Sequence, residues 1–394
     1  MKDIIVYVGG FRLPDGTASA QRALENANLF KSLGYHVVLM GKLDLERDGC
    51  DNPDVTYADI DGYDCYDIRH PVEGQVFLSY VSNIDSIKLI INKYGVGRVS
   101  AVIAYNYPSG ALNRLIKFTH KNNIKMIAEC TEWYGFEGKN IFRNLTRMFQ
   151  TEFRMRYLAP KAGNVICASL HSQKHFSQCN TVVLPFVIDT AASKWKVPAR
   201  FSGSTPRRFI YAGSPGMGMS KDYVHLVIDA FTGVRQAGYD FEFVVVGITK
   251  EQFLQAFSES KNNVDTLGPQ LKFLGRIPHQ NAIGEISQSD FFVFLRPENR
   301  VSQFGFPTKL VEAFSCGVPT ITNATSDIGL YVQNLENGFL LERPDTKELI
   351  TTIITALTID DNKLDTMKND CLKNNPFRFE NFKEPVREFL LNAR

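Results

Sequence analysis

At 394 residues the chain is longer than one ordinary core accommodates, and its 44% hydrophobic content supplies two domains of similar size, which excludes a disordered chain. A net charge of +2, with 22% charged residues, excludes the concentrated basic footprint of a nucleic-acid-binding protein. The cysteines (Cys50, Cys65, Cys130, Cys167, Cys179, Cys316, Cys371) form no close pair of the zinc or redox kind, and no run reaches the roughly 18 apolar residues of a membrane span, so the expectation is a reduced, cytoplasmic protein.

From the N-terminus, IIVYV at Ile4 is too short an apolar run for a signal peptide and reads as a strand. Ala20, Ala23, Leu24, Ala27 and Phe30 then follow helical spacing, and Gly34 supplies the stop before HVVLM. AVIAY, IKMIA and NVICA continue the rhythm of strand, turn and helix, which predicts a parallel α/β sheet. KWKVPARFSGSTPRR, with two prolines and no periodicity, reads as a linker. After it come strand FIYAG, a helix with Val224, Val227, Ile228, Phe231 and Val234 on one face, and strands FEFVVVG, LKFLG, DFFVFL, PTIT and GFLL. The expected organisation is an N-terminal Rossmann-like domain over 1–195, a second over 206–375, and a helix within 376–394 that packs back on the first. Ligands of such sheets bind at the carboxyl ends of the strands, here in a cleft between the domains.

The passage from Arg296 to Ala324, RPENRVSQFGFPTKLVEAFSCGVPTITNA, holds the densest set of candidates. Pro307 and Thr308 signal a helix start, with Thr308 as N-cap, where free N–H groups attract phosphate. Lys309 and Glu312 lie three apart and share a face, so one turn offers a cation for diphosphate and a carboxylate for ribose hydroxyls. The same letters also fit an ordinary amphipathic helix with Leu310, Val311 and Phe314 inward. In YAGSPGMGMSKDYV, Gly213, Gly216 and Gly218 let backbone approach a phosphate, and Lys221 at the helix start neutralises it, unless this is simply a flexible turn.

This set resembles glycosyltransferase family 4, most specifically over residues 209–324, through the Pro-Thr-Lys-Leu-Val-Glu-Ala run and the glycine loop with its lysine. The resemblance implies the GT-B fold and retaining transfer of a sugar from a nucleotide-sugar donor to a glycan or lipid-linked acceptor, in bacterial surface-polysaccharide assembly. It assigns Glu312 to the ribose, Thr308 and Lys309 to the diphosphate, and Arg276 and Ile277 of GRIPHQN to the base. It also lets the first loop, before Arg22, line the cleft, with Gly16 touching the diphosphate or the acceptor unless this is a plain surface loop, and it counts Gly16 and Ser214 among the donor-binding residues. Two positions depart from the family pattern. Phe304 stands where many members carry a second glutamate, and Ser214 where an arginine is common; Arg296, at the end of DFFVFL, is the expected compensating cation.

Glu132 and Glu129, after strand IKMIA, are the candidate bases for an acceptor hydroxyl, Glu132 first. With Lys309 they complete the expected catalytic set. Asp59-Ile60-Asp61 matches the letters of a metal-binding pair but sits in a polar turn, and lysines with helix-terminal amides can stabilise a departing diphosphate, so no metal or other cofactor is expected. Within 139–161, Lys139, Arg143, Arg147, Arg154, Arg156 and Lys161 alternate with Phe142, Met148, Phe149, Phe153 and Tyr157. That pattern is either an interfacial helix resting on the anionic inner face of the plasma membrane or a solvated helix with its aromatics on the core. Rival readings are a nicotinamide oxidoreductase, disfavoured because Gly216-x-Gly218-x-x ends in Lys221, a nucleotide-sugar 2-epimerase, and a non-catalytic sugar-nucleotide-binding subunit.

Overall fold

A computed structural model describes residues 2–14, 17–43, 56–68, 81–134, 141–200 and 203–394, with backbone alone for 141–144 and 217. The chain divides into two compact units, one comprising 1–189 with 378–394 and the other 190–377.

The first unit is built on β1 (Ile4–Leu13), β2 (His36–Leu43), β3 (Tyr57–Ile60), β4 (Tyr63–Asp67), β5 (Val99–Tyr105), β6 (Lys125–Cys130), β7 (Asn164–Cys167) and β8 (Asn180–Val183). Their order is β3-β4-β2-β1-β5-β6-β7-β8, parallel throughout except for the β3–β4 hairpin. Ile4 to Val8 are buried on both faces, as a central parallel strand covered by helices requires. The helix Ala18–Ser32 starts at Thr17, whose hydroxyl accepts from the Ala20 amide, and it lays Ala20, Ala23, Ala27 and Phe30 on the sheet. Sheet order reverses at β1, between β2 and β5, which makes the C-terminal end of β1 the switch point of this sheet.

The returning C-terminal segment joins this unit: Phe379, Val386, Phe389 and Leu390 enter its core, and the helix Lys383–Asn392 is pinned by Asn180 Nδ2 donating to the Phe389 carbonyl at 3.0 Å. The DIDG sequence forms the β3–β4 hairpin, with Asp61 and Gly62 at positive φ in its turn and the Gly62 amide donating to Asp59 Oδ1.

The second unit is built on β9 (Arg208–Ala212), β10 (Glu242–Val246), β11 (Leu271–Gly275), β12 (Phe291–Val293), β13 (Thr320–Asn323) and β14 (Gly338–Leu341), ordered β11-β10-β9-β12-β13-β14 and parallel. Its switch point is the C-terminal end of β9. Within the expected linker, Arg200 is tied into this unit. Asp290 is fully buried and needs cations, and Arg200 Nε at 3.2 Å and Lys368 Nζ at 2.9 Å supply them, which fastens residue 200 to this unit. The chain changes unit at 189/190, ahead of the expected end of the first domain at 195. Among the described residues no helix is long and apolar enough to cross a membrane.

Candidate functional site

The switch point of the second unit is organised around Gly213, the residue after β9. Its φ is +147°, its amide donates to the Val246 carbonyl, and a Cβ there would stand 2.4 Å from Cε of Lys309. The lysine lies across the glycine, and a larger residue here would be strained by the positive φ and would displace the end of the lysine side chain. Lys309 comes from the helix Thr308–Ser315, which its apolar residues Leu310, Val311 and Phe314 bury against the sheet. Pro307, not Thr308, takes the N-cap position: Pro307 is extended, at φ −78° and ψ 119°, and Thr308 is already helical, with no side-chain cap bond. Thr308 thus contributes its backbone N–H and an unsequestered hydroxyl position at the first turn, where helix amides lack intrahelical acceptors.

Lys309 Nζ sits 2.8 Å from Asp222 Oδ2, and the Tyr211 hydroxyl donates to the same oxygen at 2.7 Å. The ammonium also lies over the Tyr211 ring, 5.6 Å from its centroid. Burial, with the Asp222 carboxylate next in importance, pushes the Tyr211 hydroxyl far above its ordinary value, so it stays a proton donor. Lys221 is exposed and precedes its helix, Val224–Gln236, by three residues instead of opening it. Its stem passes over Gly216, where a Cβ would meet Cγ at 2.7 Å. Ser214 is exposed beside Gly213.

One helical turn beyond Lys309, Glu312 Oε1 contacts His279 Nε2 at 3.2 Å. His279 opens the helix His279–Ser287 directly after exposed Arg276 and half-buried Ile277, so the loop after β11 and the Lys309 helix are brought together. Arg296 is not a simple stand-in for the cation absent at Ser214. Its guanidinium donates to the Ser302 carbonyl at 3.2 Å and its backbone is clamped on both sides by Asn323, which fixes the turn into the short helix Arg300–Phe304. Lys309, lying over Gly213, and Lys221, lying over Gly216, are the cations that the geometry places against the turn containing Ser214. Phe304 is buried.

In the first unit the two candidate bases separate. β6 extends through Cys130, so Glu129 lies inside the strand and its side chain stands on the sheet face covered by the first helix. Fully buried, it accepts from Arg22 Nε at 2.6 Å, from Asn26 Nδ2 at 3.2 Å and from the Tyr7 hydroxyl. A buried carboxylate held this way is an ion-pair partner, and the base role is withdrawn from Glu129. Arg22 is consumed by the same cluster and by the Leu184 carbonyl, so it does not face a ligand. Glu132, beyond the strand end, is half-buried, and its carbonyl accepts from Arg154. Gly16 lies outside the described residues.

The basic-aromatic segment folds as the helix Ile141–Phe153, a π-helical turn Arg154–Leu158 and a final helical turn to Ala162. For Phe149, Phe153 and Tyr157 the core-facing reading is overturned, because they are 67%, 48% and 63% exposed while Thr151, Met155 and Leu158 are inward; the side chains of Phe142 and Arg143 lie outside the described residues. Arg154 is also inward and donates to the Asn106, Tyr107 and Glu132 carbonyls. Lys139 lies outside the described residues.

With this geometry established, comparison with known proteins adds two findings. Residues 205–373 match the family model of glycosyl transferases group 1. No curated protein matches the sequence. Among solved structures the chain is similar to a glycosyltransferase from Rickettsia africae (14% identity, all of both chains, TM-score 0.66) and to Anabaena HepE in complex with UDP and glucose (16%, 99% of both, 0.64). It is likewise similar to the catalytic domain of Arabidopsis thaliana starch synthase IV bound to ADP and acarbose (11%, 99% of both, 0.70). The fold is GT-B.

In GT-B terms the matched region coincides with most of the second unit and contains Gly213, Lys221, Asp222, His279, Lys309 and Glu312. Sequence reasoning reached four of these and missed Asp222 and His279. His279 had a signal, since it lies within the GRIPHQN stretch already singled out for Arg276 and Ile277. Asp222, next to a lysine in a glycine-rich turn, looks solvated until the helix carrying Lys309 folds over it.

Proposed function

We propose that the chain is a retaining, metal-independent glycosyltransferase of family 4, moving a sugar from a nucleoside-diphosphate donor to a hydroxyl of a glycan or lipid-linked glycan in surface-polysaccharide synthesis. The observation that carries this reading is the single helix that holds Lys309 over Gly213 and Glu312 beside His279, inside the region matched to glycosyl transferases group 1. The complexes of Anabaena HepE with UDP and of starch synthase IV with ADP support a nucleoside diphosphate as the donor's leaving group.

In the proposed reaction the diphosphate lies at the Gly213–Lys221 turn and the Thr308 amide. Glu312 accepts the ribose hydroxyls, and Arg276 and Ile277 flank the base. The bond from the sugar's anomeric carbon to the phosphate oxygen breaks, and its electron pair leaves with the nucleoside diphosphate. Lys309 and Lys221 stabilise that charge. The acceptor oxygen bonds to the anomeric carbon and its proton passes to Glu132.

The reading is tested by incubating the protein with UDP-, GDP- and ADP-sugars and following nucleoside diphosphate release together with the fate of the sugar. Release with one donor class, lowered about 100-fold or more in Lys309→Ala, supports transfer. An epimerised donor would identify a 2-epimerase, and binding without turnover a non-catalytic subunit.

A specific observation also favours acceptor presentation at an anionic membrane. Leu145, Phe149, Phe153 and Tyr157 recur every four residues on an exposed face, flanked by exposed Arg156 and Lys161. Aromatic and basic side chains on one helix face suit the boundary between headgroups and acyl chains.

A further inference from the structure

Asp222 is 2% exposed and Lys309 15%, so the contact between them sits at the floor of the Gly213 turn. A carboxylate this deeply buried requires a compensating cation. Here that cation is also the lysine assigned to the donor diphosphate. The Tyr211 hydroxyl converges on the same Oδ2, which fixes the carboxylate before the lysine reaches it. Gly213 leaves the channel through which the lysine stem passes. An ammonium has three donors and the Asp222 contact uses one, so the arrangement holds a rotamer-rich side chain in place with donors still available to an anion.

We propose that Asp222 is a positioning residue for the donor diphosphate, acting through Lys309, with Tyr211 fixing its carboxylate. The proposal rests on the donor-site reading above and deepens it. Removing the carboxylate keeps the lysine but releases it, so affinity falls for ligands that carry the diphosphate and not for the nucleoside alone. The opposite arrangement, in which Asp222 competes with the diphosphate for the ammonium, predicts tighter binding when the carboxylate is lost.

The test is isothermal titration of the full chain, wild type, Asp222→Asn, Lys309→Ala and the double variant, with UDP, GDP and ADP and with the matching nucleosides. Asp222→Asn is expected to weaken the preferred nucleoside diphosphate about tenfold and its nucleoside less than about twofold, and the double variant to bind no more weakly than Lys309→Ala. Losses that add in the double variant, an equal loss for the nucleoside, or tighter diphosphate binding in Asp222→Asn would each overturn the proposal while leaving the donor site in place. Failure of wild type to bind any of the three diphosphates, or of Lys309→Ala to weaken binding, would overturn the donor-site reading and this proposal with it. If Asp222→Asn does not fold, Tyr211→Phe, which removes only the hydroxyl on the same oxygen, is expected to reproduce the diphosphate-specific loss at about threefold, and an unchanged affinity there overturns the proposal.

Discussion

Gly213 and Lys309 lie 96 positions apart, yet the end of the lysine side chain occupies the space where a Cβ at 213 would stand. Gly213→Ala is therefore expected to destabilise the protein by about 1–3 kcal/mol, from backbone strain at φ +147° and from displacement of the lysine, and to weaken nucleoside diphosphate binding as well. Urea unfolding with and without ligand measures both effects. The two glutamates after Ala128 make the complementary case. Glu129→Gln breaks a buried pair with Arg22 and is expected to lower stability by about 3 kcal/mol, whereas Glu132→Gln is expected to leave stability unchanged and slow transfer about 100-fold. A Glu132→Gln enzyme with full activity would remove that residue from the mechanism. The distinction between them turns on where β6 ends. Glu129 falls one residue inside the strand and Glu132 two residues beyond it, and strand ends are poorly marked when, as here, the run KMIAECTEW lacks glycine or proline. The shared helix of Lys309 and Glu312 was legible in the sequence because Pro307 and Thr308 mark its start to within one residue. Their partners Asp222 and His279 were not, because those contacts are set by tertiary packing alone.

At the level of elements, the segment 141–162 departs most from what its composition suggests. Its period fits an amphipathic helix, but hydrophobic pattern alone does not say which apolar stripe meets the core. The π-helical turn settles the phase, turning Arg154 inward to three carbonyls and leaving Phe153 and Tyr157 in mutual contact, 5.6 Å between ring centroids, on the outside. A triple change of Phe149, Phe153 and Tyr157 to Ser is expected to alter stability by no more than about 0.5 kcal/mol per site, as for other exposed positions, and to abolish co-sedimentation with anionic vesicles at low salt. Wild-type protein that stays in the supernatant under those conditions contradicts the membrane part of the proposal. The parallel strands were the most legible elements, since the buried stretches 4–8 of β1 and 243–246 of β10 read as short apolar runs rich in β-branched residues. The β3–β4 hairpin was not read as strands, because its short strands, YADI and YDCYD, carry several polar side chains at a sheet edge and β3 has no buried residue.

For the whole molecule, two-unit organisation followed from length and from the repeated α/β rhythm, and the return of the C-terminal segment to the first unit followed from its apolar spacing. The exact crossing at 189/190 did not, because the tie between Arg200 and Asp290 joins residues 90 positions apart. Stability should also depend on pH through two histidines. Burial holds His175 and His225 below the ordinary 6.5, His175 packed on Trp133 and His225 stacked on Phe257. The unfolded chain binds these protons first, so stability is full above pH 6.5 and declines as pH falls from there through the folded values. Urea midpoints at pH 7.5 and 5.5 are expected to show this decline, and His175→Gln with His225→Gln to reduce it; a pair of variants with an unchanged slope would assign the effect to other groups.

The central claim, that the second unit binds a nucleoside diphosphate through the Lys309–Glu312 helix without a metal, is tested most directly by thermal unfolding with UDP, GDP, ADP or NAD, with and without EDTA, in wild type and Glu312→Ala. A ligand that binds only the folded state raises the melting temperature, by an amount that grows with its concentration over Kd. The account predicts stabilisation by one nucleoside diphosphate, unchanged by EDTA and weakened in Glu312→Ala. Stabilisation by NAD alone, by a nucleoside diphosphate only in the absence of EDTA, or equally in Glu312→Ala would contradict it.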